Sequence, residues 1–248
     1  MNFLSLLKRK IIFFFKKKID LDSQKVKTKK KIDYLFSYYG TDKSNKWHGF
    51  SEFYEKHFFK FKNKKIAILE IGSHEGGSAA AFAKYFINSS IICLDINITR
   101  FKYSSKRIKL IGLDVSNEKS IKNFFEKQKI IKNCYFDIII DDGSHKTSDI
   151  FYALKNTFDY LKPGGSYVIE DYKLADFFNY FHDTKDVTPS FLLKNLKNKK
   201  YFKSSIINKK FQKKLFDNIK KINFYSGKFI YGKNTNSTSS DICFITRK

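Results

Sequence analysis

The 248-residue chain carries 49 Lys and Arg against 24 Asp and Glu, a formal charge of +25. That length allows one α/β domain with a small appendage, and such a charge would ordinarily raise nucleic acid or an anionic membrane as a partner. Only Arg9, Arg100, Arg107 and Arg247 are arginine, the other 45 basic residues being lysine; this speaks against a nucleic-acid reader, because bidentate reading of phosphate and guanine favours arginine. The abundance of Lys, Asn, Ile and Phe has the look of an AT-rich genome. Cys93, Cys134 and Cys243 are odd in number and lack CxxC spacing, which suggests neither a disulfide framework nor a zinc site and suits a reducing cytoplasm.

Residues Met1 to Ile19 mix Leu4, Leu6, Leu7 and Ile11 to Phe15 with Lys8, Arg9, Lys10 and Lys16 to Lys18. The apolar run is too short and too often broken by lysine to span a bilayer, and it lacks the small-residue cleavage site of a secretory signal. Two readings stay open: peripheral contact of residues 1–19 with an anionic membrane, or a helix packed on its own domain or on a second copy. Asp20 to Lys31 is polar and reads as a linker, so residues 1–31 form a basic amphipathic segment ahead of a domain over 32–248. From Ile66 onward, apolar runs of strand length alternate with helical periodicity. Strands are expected at Ile66–Ile71, Ile91–Asp95, Ile108–Leu113, Phe136–Ile140 and Tyr167–Ile169. A helix begins at Gly76–Phe86, and Ser116 is placed to cap another over Glu118–Lys127. Ile150, Leu154, Phe158 and Leu161 mark one face of a third helix, which Lys162-Pro163-Gly164-Gly165 would stop. Residues 172–221 read as a lysine-rich, irregularly helical insertion or lid. Ile222–Tyr225, Phe229–Tyr231 and Ile242–Thr246, around a polar turn Asn234–Ser240, read as a closing hairpin.

Two motifs carry chemistry. Leu69-Glu70-Ile71-Gly72-Ser73-His74-Glu75-Gly76-Gly77-Ser78 runs from a strand through a glycine turn into a helix, where open α/β sheets bind ligands. Its Gly-x-x-x-Gly-Gly spacing differs from the Gly-x-Gly-x-x-Gly of dinucleotide enzymes and from a P-loop. Asp95, closing the next strand, suits a ribose diol, since a carboxylate offers two oxygens to two vicinal hydroxyls. Asp114, one strand further, is placed either for an adenine or as a carboxylate at a helix N-terminus. The second motif is sharper. Asp141-Asp142-Gly143-Ser144-His145 follows one strand and Glu170-Asp171 the next, so four carboxylates converge at one sheet edge, a crowding that a hard divalent cation relieves. His145 could serve there as a general base. Gly40-Thr41-Asp42-Lys43 with Trp47-His48-Gly49-Phe50 reads by itself as a turn beside an aromatic cluster.

Taken together, Gly-Thr-Asp-Lys, Leu-Glu-Ile-Gly with Gly-Gly-Ser, Ile-Ile-Ile-Asp-Asp-Gly-Ser-His, Leu-Lys-Pro-Gly-Gly and Tyr-Val-Ile-Glu-Asp resemble the Mg²⁺-dependent macrolide and deoxysugar O-methyltransferases, a branch of the class I S-adenosylmethionine-dependent methyltransferases. The blocks cover roughly Tyr38 to Tyr172. The resemblance implies an α/β, Rossmann-like seven-stranded sheet with helices on both faces and an antiparallel C-terminal strand. It implies S-adenosylmethionine and Mg²⁺ as cofactors, with Asp142, Glu170 and Asp171 on the metal and His145 and Asp142 as the catalytic residues. Glu70, Gly72, Gly76, Asp95, Asp114, Asp141 and Lys43 would bind the cofactor, Asp141 lying between it and the metal, with Asp42 and Lys43 in an N-terminal flap. The acceptor implied is a sugar-containing small molecule or glycan precursor, with no nucleic acid, and the resemblance leans towards a homo-oligomer. Phe50 stands where the family often has tyrosine, and little after Asp171 aligns. Another diol or catechol as acceptor, a nucleic acid methyltransferase and a non-catalytic relative on the same scaffold are the competing readings.

Overall fold

The computed structural model describes residues 3–26, 31–130, 135–228 and 240–248. The expected strand Phe229–Tyr231, the turn Asn234–Ser240 up to residue 239, and Cys134 lie outside the described residues. The chain forms two compact units, Met1–Asp114 and Val115–Lys248.

In the first unit, α1 (Phe3–Phe15) leads into β1 (Ile19–Asp20), then α2 (Ile32–Tyr38) and α3 (Ser51–Phe58). β2 (Ile66–Ile71), α4 (Gly77–Tyr85), β3 (Ser89–Asp95), β4 (Tyr103–Ser104) and β5 (Ile108–Gly112) follow. β2 pairs with β3 and β3 with β5, both parallel. All but one residue of β2 are buried, the pattern of a strand covered on both faces. Alanines dominate α4, whose residues from Ser78 to Tyr85 are all buried. Against it pack the rings of Phe36, Tyr54 and Phe58, with centroids 5.5, 5.5 and 6.4 Å from that of Phe82. The segment after Ile19, read as a linker, is docked as far as it is described. β1 pairs with β4, Leu21 is buried, and the Lys84 ammonium donates to the carbonyls of Leu21 and Gln24 at 2.7 and 2.8 Å. A lysine head that is taken out of water must find such acceptors, and here they lie about sixty residues away in sequence.

The second unit holds α5 (Glu118–Lys127), β6 (Phe136–Asp141), α6 (Thr147–Thr157), β7 (Leu161–Glu170), α7 (Leu174–Phe177), α8 (Pro189–Lys197), α9 (Lys209–Asn218), β8 (Ile219–Ser226) and β9 (Asp241–Arg247). Its strands β6 and β7 are parallel, while β9 runs antiparallel to both β7 and β8. The seven strands take the order β5-β3-β2-β6-β7-β9-β8, the mixed sheet with antiparallel C-terminal strands that the resemblance implied. Residues 172–221 hold α7, α8 and α9, and α9 yields to β8 already at Ile219.

Two local expectations are corrected. Asn117, not Ser116, caps α5, its side chain accepting from the Ser120 amide at 3.0 Å. Nor does Lys162-Pro163-Gly164-Gly165 stop a helix that includes Leu161, because α6 ends at Thr157 and Leu161 already pairs with Phe136. The next registered pair is Ser166 with Ile138, so the segment is a bulge inside β7. Gly164 supplies a φ of +74° there, proline donates nothing to the ladder, and Lys162 Nζ ties the bulge to Asp137 at 2.8 Å.

Candidate active site

In the first unit the glycine loop joins β2 to α4. Gly72 and Gly76 have φ of +82° and +83°, values at which a Cβ is strained; at Gly76 it would also meet the Phe101 ring at 2.5 Å. Glu70 lies beneath the loop, fully buried, its carboxylate accepting from Ser78 Oγ at the start of α4 and from Cys93 Sγ on β3 at 3.7 Å. Burial, with Glu70 as the next cause, pushes the Cys93 thiol well above its ordinary range, so it stays a neutral donor. Glu70 thus fastens strand to helix under the turn.

Asp95 closes β3. Its Oδ2 accepts from the His74 amide at 2.7 Å and its Oδ1 from the Asn97 amide at 2.6 Å. A carboxylate has about four acceptor positions, so these two bonds fix its orientation and leave capacity for a diol. The loop and Asp95 stand at the carboxyl ends of adjacent parallel strands, and this donor and acceptor set fits a ribose-bearing cofactor. Asp114 is half-buried beyond β5 and is not the residue that caps α5.

Lys43 is buried, with its Nζ 3.9 Å from Asp42 Oδ1, and His48 Nε2 lies 3.6 Å from Asp42 Oδ2. Asp33, which sequence reading passed over, organises this turn: its Oδ1 accepts from the Asn45 amide at 2.7 Å and from Ser51 Oγ at 2.6 Å. The one available signal was a carboxylate in the first turn of a short helix, and that is equally what a helix dipole attracts.

In the second unit Asp142 follows β6 and Asp171 follows β7. The parallel register sets Asp141 opposite Ile169, so both strands end at one level. His145 Nε2 lies 3.8 Å from Asp142 Oδ1 and 4.0 Å from Asp171 Oδ2. One ligand atom from each of the three residues lies within 4.8 Å of the other two. His145 and Asp171 both hold a left-handed backbone, at φ of +59° and +51°, as His74, Lys129 and Lys199 do elsewhere in the chain. The two hard carboxylates, partly open to solvent, fit Mg²⁺, which takes a few carboxylate oxygens and keeps positions for water and substrate, and the imidazole stands beside them. Glu170, expected beside them, stands outside this trio and is almost fully buried on β7.

Asp141 is buried, and the loss of hydration pushes its carboxyl well above the ordinary range despite a hydrogen bond from the Gly143 amide at 3.3 Å. The segment after β7 packs on the start of α6: Asp183 accepts from the Ser148 amide at 3.0 Å and Ser148 Oγ at 2.6 Å, and Thr147 Oγ1 donates to the Phe181 carbonyl at 3.1 Å. That sets the exposed Tyr180 ring under Lys146 Nζ, 4.8 Å from its centroid and next to His145 in sequence. The tertiary cap from Asp183 had no local signature.

The order and directions of the strands are those of the class I methyltransferase fold. At 25% identity and a TM-score of 0.66 the chain is similar to the MycE methyltransferase from the mycinamycin biosynthetic pathway, solved in complex with Mg and SAH, over 88% of this chain and 55% of that one. Among curated proteins it is similar to the 8-demethyl-8-alpha-L-rhamnosyl tetracenomycin-C 2'-O-methyltransferase of Streptomyces olivaceus, 31% identical across 52% of this chain and 35% of the relative. It is likewise similar to the mycinamicin VI 2''-O-methyltransferase of Micromonospora griseorubida, 32% identical across 55% and 35%. The match thus spans about a third of the length of these curated relatives. No protein-family model matches the chain.

Proposed function

We propose that this chain is an S-adenosylmethionine-dependent, Mg²⁺-assisted O-methyltransferase acting on a hydroxyl of a sugar-bearing molecule in a reducing cytoplasm. The observation that carries the reading is the trio Asp142, His145 and Asp171, gathered within 4.8 Å on a fold similar to that of the MycE methyltransferase solved with Mg and SAH. When bound, S-adenosylmethionine supplies an electrophilic methyl group and Mg²⁺ a Lewis acid that lowers the pKa of the acceptor hydroxyl.

Asp142 and Asp171 would hold the metal, with Glu170 as the further carboxylate. His145 takes the hydroxyl proton at Nε2, and the carboxylates of Asp142 and Asp171, 3.8 and 4.0 Å away, stabilise the imidazolium so formed. Gly72 and Gly76 let the backbone approach the cofactor, Asp95 holds its ribose, Asp114 its adenine, and Glu70 keeps the loop in place from beneath. Lys43 and Asp42 belong to a flap over this region, and Asp141 is a buried neighbour of the metal ligand Asp142. No covalent adduct with the chain is needed, so its residues contribute chiefly by positioning. Nucleic acid has no part in this reading, since the positive charge is lysine rather than arginine.

A panel of glycosides, nucleotide sugars and catechols, assayed for methyl transfer with Mg²⁺ and with EDTA, tests the proposal. Transfer to a sugar hydroxyl that EDTA abolishes is the expected result. Transfer confined to catechols would replace the acceptor class, and EDTA-resistant transfer would remove the metal from the reaction.

A further inference from the structure

Helix α1 is tied to its unit by Arg9 and Lys16. Arg9 donates to the Ile96 carbonyl, and Lys16 Nζ to the carbonyls of Thr99 and Arg100 at 2.8 and 2.9 Å. Ser5, Leu6, Arg9 and Phe13 are its part-buried positions, with Lys16 just past its end, and at about 100° per residue they fall on one face. On the opposite face Leu4, Leu7, Ile11, Phe14 and Phe15 form an apolar stripe about 100° wide. Their exposures are 69, 44, 54, 77 and 81%. Lys8 borders the stripe on one side and Lys10 on the other, with Lys17 and Lys18 just past the helix end.

Exposed leucine and phenylalanine in a continuous stripe are costly in water, and lysines at its borders can keep their stems along apolar surface with the ammonium in the headgroup layer. Residues 1–19 contain six basic residues and no acidic one. Apposing this stripe with its twin on a second copy would bring like charges together with no carboxylate in the segment to offset them, whereas anionic headgroups complement it. No helix among the described residues is long and apolar enough to cross a membrane, so the segment would lie along the surface.

We propose that α1 docks the protein on the surface of an anionic lipid bilayer, with Leu4, Leu7, Ile11, Phe14 and Phe15 in the acyl boundary and Lys8 and Lys10 at the headgroups. This would bring the enzyme to acceptors carried at a membrane, yet the proposal stands whether or not the chain transfers methyl groups.

Co-sedimentation of the full chain with phosphatidylcholine vesicles, with and without phosphatidylglycerol, tests it, with far-UV circular dichroism, thermal unfolding and light scattering as controls. The wild type is expected to pellet with phosphatidylglycerol vesicles and at least about tenfold more weakly with phosphatidylcholine alone. Leu7→Asn with Phe14→Asn should weaken binding to the anionic vesicles about tenfold or more, and Lys8→Gln with Lys10→Gln should weaken it by a similar factor. All these side chains are exposed, so both variants should keep the wild-type spectrum and melting temperature. A wild type that stays in the supernatant with both vesicles, or variants that pellet as it does, would overturn the proposal. So would a dimer that Leu7→Asn with Phe14→Asn splits into monomers, since a second copy would then be what covers the stripe.

Discussion

The glycine loop after β2 and the acidic turns after β6 and β7 both hold backbone in the left-handed region, the first at Gly72 and Gly76 with His74 between them at φ of +44°, the second at His145 and Asp171. At Gly72 and Gly76 the side chain is dispensed with, which lets the chain turn and a ligand come close. His145 and Asp171 accept the same conformation at φ of +59° and +51° while keeping their side chains, which costs of order 1–3 kcal/mol each. Gly72 and Gly76 avoid that strain, whereas His145 and Asp171, like His74 in the glycine loop, carry it.

Substituting across that divide should separate the two. His145→Gly is expected to cut methyl transfer at least about 100-fold while leaving the melting temperature unchanged or raised by a few degrees, because the strain is relieved. Loss of both activity and stability would mean that His145 is scaffold. Gly76→Ala imposes the opposite change, and its Cβ cannot be placed without moving Phe101. Calorimetry should show S-adenosylmethionine affinity falling about tenfold, alongside a destabilisation of about 1–2 kcal/mol, with divalent cation binding at the trio preserved.

Asp186 sharpens the contrast from a third side, as a buried carboxylate that organises backbone without strain. Burial works to raise its carboxyl, but hydrogen bonds from Ser204, Ser205 and Ile206 outweigh it and hold the group below the ordinary value of 3.8. A depressed carboxyl stabilises the fold above its unfolded pKa, and that contribution is lost as pH falls through the folded value. Asp186→Asn should therefore cost about 1–3 kcal/mol near neutrality, and denaturant titrations should show the gap from wild type closing as the solution is acidified below the carboxylate range. The smallest effect is expected at α5, where Asn117→Ala should cost about 1 kcal/mol and Ser116→Ala almost nothing.

Much of this was legible in the chain. The five parallel strands declare themselves as apolar runs, and Asp142, His145 and Asp171 follow two of them directly. Glu170 reads identically to Asp171 in sequence, but it is still part of β7 and pairs with Ile242, so its side chain obeys strand alternation while Asp171 leaves the strand at positive φ. The bulge at Lys162–Gly165 was mistaken for a helix stop because the same turn residues serve both purposes. Asp33, Asp183 and Lys84 were illegible for a different reason. Each is a polar residue whose partners lie in another element, at separations of 12 to 63 residues, and no local pattern marks such bonds.

The central claim is that Asp142 and Asp171 hold one divalent cation beside His145. Electron paramagnetic resonance of Mn²⁺, titrated into the protein with Mg²⁺ as competitor, tests it most directly. One bound Mn²⁺ that Mg²⁺ displaces, with affinity lost in Asp142→Asn and in Asp171→Asn while S-adenosylmethionine still binds, is the result this account predicts. Wild-type Mn²⁺ affinity in both variants would contradict it.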